Sequence, residues 1–436
     1  MEPFAYNFQQ THSSVKLHEL YKDLPNGQED KNEVVSIAGR IMFRRFFGKL
    51  AFFTLQDDKG SIQIYIEKSR LKDGHFELLR DYSDTGDIVG VAGTMKRTDK
   101  GELSVAISDW TMLTKSMAPL PDKFHGMTDV NKRYRQRYID FISNPAAREV
   151  MLMRTKIISY VRNFFNARDF LEMDTPILTS QSGGAEAKPF LTHHNSLDMA
   201  LTLRIATELH LKRLVVGGFH KVYEIGRVFR NEGLSTRHNP EFTSIELYQS
   251  YADYEGMMAL TEELLSSMAA DLLGKTREID YQGELVHFTR PFRRVSMNEL
   301  VREKTGLDFY PLIRRVAELP EASEEQRAEL LREAKELAKR GTKIPWEAVD
   351  EQESVGEVLN LVFEEVCEKT IVQPTFVTEH PTDISPLAKK HRGKPGLTER
   401  FELFIIGREY ANAFSELTDP VDQRKRFQIQ VSPYQP

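Results

Sequence analysis

The run Tyr223–Tyr251, YEIGRVFRNEGLSTRHNPEFTSIELYQSY, leaves this chain few folds to choose from. Val222–Asn231 and Phe242–Gln249 are rich in β-branched, aromatic and alternating residues. Between them Glu232–Glu241 holds Gly233, Asn239 and Pro240, so the run predicts two strands joined by a polar loop. Side chains two apart on a strand share a face. Arg230 and Glu232 therefore point the same way if the first strand runs that far, and Phe242, Ser244, Glu246 and Tyr248 line one face of the second. That face offers a guanidinium for a phosphate, an aromatic plate for a base, and a carboxylate with a phenol further along. A solvated hairpin with surface ion pairs would also be charged. It would have no reason to set the charges in this order.

With 436 residues, 40% hydrophobic and 28% charged, the chain has room for two or more soluble domains. It carries no apolar run of membrane-spanning length, and MEPFAYNFQQTHSS lacks the basic start and apolar core of a secretory signal. A lone cysteine, Cys367, is expected as a packed thiol in a reducing compartment, the cytoplasm, with an organelle matrix or stroma as the alternative. The net charge of −6 argues against indiscriminate nucleic-acid binding, although local patches decide that question. Two basic patches stand out: Arg44, Arg45 and Lys49, and Lys132, Arg133, Arg135 and Arg137.

From about Glu33 to Leu113 the pattern is all-β, with turns at Lys59-Gly60, Asp73-Gly74 and Lys100-Gly101. Five strands with the helix-like FELLRDY between the third and fourth predict an OB-fold barrel. Such barrels stack single-stranded bases on aromatics beside basic side chains. Phe52 is the candidate plate, Arg45 its basic partner, and Gln63 and Glu102 the polar edge-readers. Only one of Phe52 and Phe53 can face outward; the other belongs in the core. MAPLPDKFHG reads as a linker, and Met151, Ile157, Ile158, Val161, Phe164 and Phe165 mark a long amphipathic helix ending near Asn166–Asp169, before a strand closed by Thr175-Pro176. Residues 296–368 read as helical, with EASEEQRAELLREAKELAKR an exposed helix whose apolar stripe is Ala328, Leu331 and Ala338.

Further segments complete a pocket. Gly183 and Gly184 in SQSGGAEAKPF let backbone approach a ligand. Glu208 precedes an apolar helix. Asn412, Phe414 and Glu416 alternate on one strand face, and Glu402 and Glu409 flank Gly407, where a bulge could turn both toward one metal. Glu246 and Glu416, with the Tyr248 hydroxyl, suit an amine on an aliphatic chain, since a desolvated ammonium needs opposite charge and filled hydrogen bonds.

FRNE followed by RHNPEFT resembles the second signature motif of the class II aminoacyl-tRNA synthetases, and ELYQSYADY resembles its lysyl-tRNA synthetase form. RYIDFISNPAAREVMLMRTKIISYVRNFFNARDFLEMDTPIL resembles the first class II motif. The resemblance implies an α+β chain: an OB-fold anticodon-binding domain over residues 1–118, a linker over 119–137, and over 138–436 a class II antiparallel sheet flanked by helices, with a helical insertion around 296–368. It implies ATP and lysine as substrates, Mg²⁺ on the ATP, tRNA(Lys) as partner and a homodimer through residues 138–176.

Residue by residue, it assigns Arg230 to the α-phosphate and the substrate carboxylate. Glu232, His238 and Asn239 go to the adenine end, with Phe242 stacked on the ring. Glu208 and the Gly184 backbone go to the α-amino group; Glu246, Tyr248 and Glu416 to the ε-ammonium; Asn412 to the carboxylate. Phe414 lies in the same pocket. Glu402 and Glu409 would hold Mg²⁺, and Arg45, Phe52, Gln63 and Glu102 would meet the anticodon.

The family's third motif, a glycine-rich strand and helix with an arginine, has no counterpart, nor does the usual amino-terminal helix. The expectation is therefore a shortened chain, a lysine–tRNA ligase. Its alternatives are a non-catalytic derivative that binds tRNA or a partner, or an aspartyl- or asparaginyl-type relative.

Overall fold

The computed structural model describes residues 4–121, 127–181, 183–185, 187–233, 235, 238–274, 277–320 and 323–431. The chain divides into two compact units, Met1–Leu152 and Met153–Pro436. Part of the expected linker, 122–126, lies outside the described residues.

In the first unit a short helix, α1 (Ser14–Leu20), precedes five strands: β1 (Glu29–Phe47), β2 (Leu50–Gln56), β3 (Ser61–Glu67), β4 (Ile88–Arg97) and β5 (Leu103–Thr114). They close in the order β1-β2-β3-β5-β4. The 19 residues of β1 are long enough to pair with β2 at one end and β4 at the other, which is what closes the barrel. Alternation fills it: Ala51, Phe53 and Leu55 point inward from β2, joined by Ile62, Ile64 and Ile66 of β3. Helix α2 (His75–Tyr82), between β3 and β4, buries Phe76 and Leu79 in the same core. Helices α3 (Val130–Arg135) and α4 (Arg137–Ser143) follow, and the second basic patch is partly structural there. Arg133 and Arg137 each bond the buried Asp140 at 2.8 Å, so neither is a free surface charge.

Helix α5 (Pro145–Asn166) ends where Asp169 takes a positive φ of 61°. Phe164 and Phe165 at its foot pack with Phe170 and Tyr223, while Ile157, Ile158 and Val161 stay half-buried. Strand β6 (Leu171–Glu172) then runs parallel to β10. A small sheet, β7 (Leu178–Thr179), β8 (Leu191–His194) and β9 (Met199–Leu203), leads to helix α6 (Glu208–Val216). Strands β10 (Lys221–Phe229) and β11 (Glu241–Gln249) form the expected antiparallel pair, with Val228 opposite Phe242 and Glu224 opposite Glu246. Because β10 stops at Phe229, the alternation that would align Arg230 with Glu232 does not hold.

Helix α7 (Tyr254–Leu273) and the hairpin β12 (Glu278–Tyr281)–β13 (Glu284–His287) come next. A second sheet runs β14 (Arg293–Ser296), β15 (Thr375–Thr378), β16 (Arg400–Phe404), β17 (Glu409–Phe414). Between β14 and β15 lie helices α8 (Met297–Thr305), α9 (Tyr310–Glu318), α10 (Glu324–Gly341), α11 (Trp346–Asp350) and α12 (Val355–Val362). Their core buries Leu330, Ala334 and Ala338 of α10. The expected stripe is therefore corrected: Ala328 is exposed and Leu331 only half-buried, and the helix is amphipathic, with one face packed. Cys367 sits in this core, where burial pushes its thiol up to about 11, far from nucleophilic use. A last helix, α13 (Pro420–Val431), follows β17.

Candidate active site and nucleic-acid face

Three elements aim carboxylates at one spot. Glu208 opens α6, Glu246 lies on β11, and Glu416 follows β17 through a bridge to Ala388. The Thr207 backbone N–H donates to Glu246 Oε1 at 3.1 Å, tying the helix start to the strand. Gly184, at φ +88°, lies so close to Glu208 that a β-carbon there would stand 2.9 Å from the Glu208 Cβ. The glycine loop, Glu208, Glu246 and Glu416 are thus drawn together, although Ser182 and Glu186 of that loop lie outside the described residues.

At the meeting point is a group that sequence reasoning passed over. The Lys212 ammonium lies 2.6 Å from Glu208 Oε1 and 2.8 Å from Glu416 Oε2, over the rings of Tyr248 and Phe414 at 5.8 Å each. One turn of helix separates it from Glu208, a spacing that marks side-chain neighbours and could have drawn notice. The acids still lack cations. Burial, then the Glu208 charge, raises the Glu246 carboxyl, and burial raises Glu416 even with Lys212 beside it. Lys212 itself is raised: burial works against the ammonium, and Glu416 and Glu208 outweigh it. Desolvation and the three carboxylates drive Tyr248 well above its usual range, so its hydroxyl keeps its proton and can donate. Lys212 pairs with Glu208 and Glu416, while Glu246 has no ion-pair partner among the described residues and feels only the more distant Arg230, so the pocket retains a demand for positive charge.

Arg230 lies just past β10, its N–H bonded to Pro240 O at 2.8 Å and its guanidinium over the Phe242 ring at 5.3 Å. The candidate phosphate clamp and the candidate aromatic plate therefore adjoin. Glu232, His238 and Asn239 are exposed in the connecting loop, where His238 bonds Ser235 Oγ through Nδ1 at 2.9 Å. Among the described residues no ring contact joins His238 to Phe242. Leu234, Thr236 and Arg237 of that loop lie outside the description.

On the second sheet Phe401 and Leu403 face the core, and Arg400, Glu402, Asn412 and Phe414 share the other face. Arg400 donates to Glu402 Oε1 at 2.6 Å and to Asn412 Oδ1 at 3.2 Å. A one-residue bulge at Tyr410 sits beside the Ile406-Gly407 turn. Burial works to raise Glu402, but His380 and Arg400 hold it below the usual carboxylate range. Glu409 is raised, by desolvation and by the Glu402 charge. A divalent ion relieves that kind of repulsion, and two carboxylates plus substrate phosphates make a normal magnesium ligand set. The donor set fits, with Arg400 as competitor at Glu402.

On the barrel, Phe52 faces outward and Phe53 is 2% exposed. Arg45 lies directly across from Phe52, and its guanidinium caps Phe43 at 4.5 Å. Phe52 meets Tyr65 edge-on at 5.5 Å, and the Lys96 ammonium lies 4.4 Å over Tyr65. Tyr65 and Lys96 extend the stacking face and were not read from sequence, because cross-strand register brings them there. Gln63 accepts from Ser104 Oγ at 2.8 Å, while Glu102 is exposed at the turn before β5.

Residues 129–433 match the family of class II tRNA synthetases (D, K and N), and 35–113 match the OB-fold nucleic-acid-binding domain. The chain is 55% identical over 437 residues to the lysine–tRNA ligase of Trichormus variabilis, covering 99% of this chain and 74% of the relative. It belongs to the lysine–tRNA ligase family of class II synthetases. The lysine–tRNA ligase of Thermosynechococcus vestitus is 53% identical over 435 residues, covering 99% of this synthetase and 82% of the relative. Arabidopsis thaliana has a relative named lysine–tRNA ligase, chloroplastic/mitochondrial, 54% identical over 433 residues (99% and 70%). Among the described residues, no helix is long and apolar enough to cross a membrane.

For the barrel face, Phe52→Ala is expected to weaken binding of an isolated anticodon stem-loop by about 1–3 kcal/mol, the usual worth of one base–aromatic stack. Fluorescence anisotropy checks it, and unchanged affinity would remove Phe52 from the binding face.

Proposed function

We infer that this synthetase activates lysine with ATP and passes the lysyl group to the 3′ end of tRNA(Lys). The lysine carboxylate attacks the α-phosphorus, forming lysyl-adenylate as pyrophosphate leaves. A terminal ribose hydroxyl of the tRNA then attacks the lysyl carbonyl and AMP departs. No protein nucleophile is needed; the residues position the reactants and stabilise charge. The observation that carries this reading is the trio Glu208, Glu246 and Glu416, which holds fewer cations than charges. An aspartate side chain would meet repulsion there.

Arg230 would neutralise the α-phosphate and Phe242 would take the adenine, with Glu232, His238 and Asn239 closing on its edge from the loop. Gly184 and Glu208 would hold the α-amino group, Glu246, Tyr248 and Glu416 the ε-ammonium, and Asn412 the carboxylate, with Phe414 as a wall. Glu402 and Glu409 would hold Mg²⁺, which when bound screens the ATP phosphates. Arg45, Phe52, Gln63 and Glu102 would read the anticodon. The half-buried Ile157 and Ile158, with Leu171 at 50% exposure, support a homodimer through residues 138–176. A monomer at micromolar concentration in sedimentation equilibrium would end that part of the reading. The cytoplasm is the expected compartment, or an organelle matrix or stroma as for the Arabidopsis relative.

Lysine-dependent, Mg²⁺-dependent pyrophosphate exchange on this chain is the test. Exchange with lysine and none with aspartate or asparagine is expected. Glu246→Gln should raise the lysine KM by about ten-fold or more, the worth of a buried charged hydrogen bond. An unchanged KM would remove Glu246 from its role. No exchange alongside intact stem-loop binding would favour a non-catalytic tRNA binder.

A further inference from the structure

We propose that Lys212 is an internal stand-in for the substrate: its ammonium fills the acidic pocket of the empty synthetase and must be displaced by the ε-ammonium of the incoming lysine. The proposal rests on the reading of the pocket as the lysine site.

A simple intrahelical pair with Glu208 would be unremarkable, since such pairs four residues apart are common. Three observations go further. Glu416 comes from a separate β segment and approaches the same nitrogen at 2.8 Å. The rings of Tyr248 and Phe414 flank that nitrogen at equal distance. These partners, with Glu208, are four of the residues assigned to a free lysine on independent grounds. A desolvated carboxylate trio with no cation would be costly to maintain. Lys212 removes that cost, and its side chain, 29% exposed on a flexible four-carbon stem, has a route to solvent when a second ammonium arrives.

The exchange is then cation for cation. The pocket's charge is conserved, and only a side chain that brings its own ammonium can replace the one that leaves. The stand-in also lowers the apparent affinity for lysine, because the receptive state is only a fraction of the population.

The groups around Lys212 set its pH behaviour: Glu208 from α6, Glu416 beyond β17 and Tyr248 from β11 face it, and Glu246, reached by the Arg230 charge, lies next to Glu208. With Lys212 present, one ammonium takes the place of another beside Glu208 and Glu416, so lysine binding should exchange few protons. In Lys212→Met the Glu416 carboxyl, already raised by burial, loses the cation that holds it down, so an arriving ammonium should expel a proton there. Affinity then climbs with pH.

The experiment is calorimetric titration of the full chain with lysine, wild type against Lys212→Met, in buffers of different ionisation enthalpy. We expect at least about ten-fold tighter binding in the variant, with proton release seen only in the variant. Equal or weaker binding by a variant of unchanged melting temperature overturns the proposal. Failure of the wild type itself to bind lysine overturns the underlying reading instead. Should the variant not fold, a crystal structure of the wild type with lysine decides. A Lys212 ammonium swung away from Glu416 supports displacement, and one still bridging Glu208 and Glu416 beside the ligand refutes it.

Discussion

Arg230→Ala is expected to lower kcat/KM for pyrophosphate exchange by about 10²–10³-fold, the usual consequence of removing a group aimed at developing charge. The side chain is poised for that task. Its backbone is fixed by the bond to Pro240, its guanidinium is propped on Phe242, and among the described residues no carboxylate pairs with it. Its Nε donates to Ile205 O at 3.4 Å, which leaves the two terminal amino groups to meet a phosphate. Arg230→Lys restores the charge but not the planar fork, so partial recovery is expected. Steady-state exchange with varied ATP measures both, and a loss smaller than about three-fold in the alanine variant would show that the phosphate is held elsewhere.

The second large effect is on stability and lies behind the pocket. Arg204 and Glu224, each about 3% exposed, form an ion pair of 2.6 Å in the interior. The same guanidinium donates to Thr175 O at 3.0 Å and to Arg227 O at 2.8 Å, and the Thr175 hydroxyl donates to Glu224 at 2.6 Å. Three segments are joined here: the exit of β6, the entry to α6 and the middle of β10. Arg204→Met leaves Glu224 buried without its counter-charge and should cost about 3–5 kcal/mol. Arg204→Met with Glu224→Gln should recover part of that, because the charge left behind is what costs most. Urea unfolding followed by circular dichroism checks both. A loss below about 1 kcal/mol would mean the interior admits water. Gly226 belongs to the same knot, since a β-carbon there would overlap the Arg204 guanidinium.

Where period and turn chemistry decide, the sequence was readable. The five barrel strands, α2, the β10–β11 pair and the end of α5 lie where alternation, glycine pairs and apolar spacing place them. Phe52 and Phe53 part to opposite faces because a strand leaves them no other choice. What stayed hidden depends on partners distant along the chain. Arg204 and Glu224 look like ordinary strand polar residues, and only the fold buries them against each other. Lys212 reads as the wet face of a helix until Glu416 arrives beside it. In α10, Leu330 and Leu331 both suit a helical stripe, and the neighbouring helices select Leu330. Beyond Phe229 the chain leaves the sheet, so two-residue alternation carries no information about Glu232. The roles of Arg230, Phe242 and the acids came from motif likeness; periodicity alone gave only their faces.

Phe404 has two allegiances. It stands opposite Glu409 across the β16–β17 ladder, and its ring meets Phe363 edge-on at 5.5 Å within the core of the helices between β14 and β15. Those helices contribute no reacting group, yet the strand that presents Glu402 is seated on them. A loosened methyl contact at Leu359 or Val362 would let that strand wander. The resulting enzyme would resemble one damaged at the proposed magnesium ligand, so a screen scored on turnover alone would mistake a fault in the foundations for a fault in the chemistry.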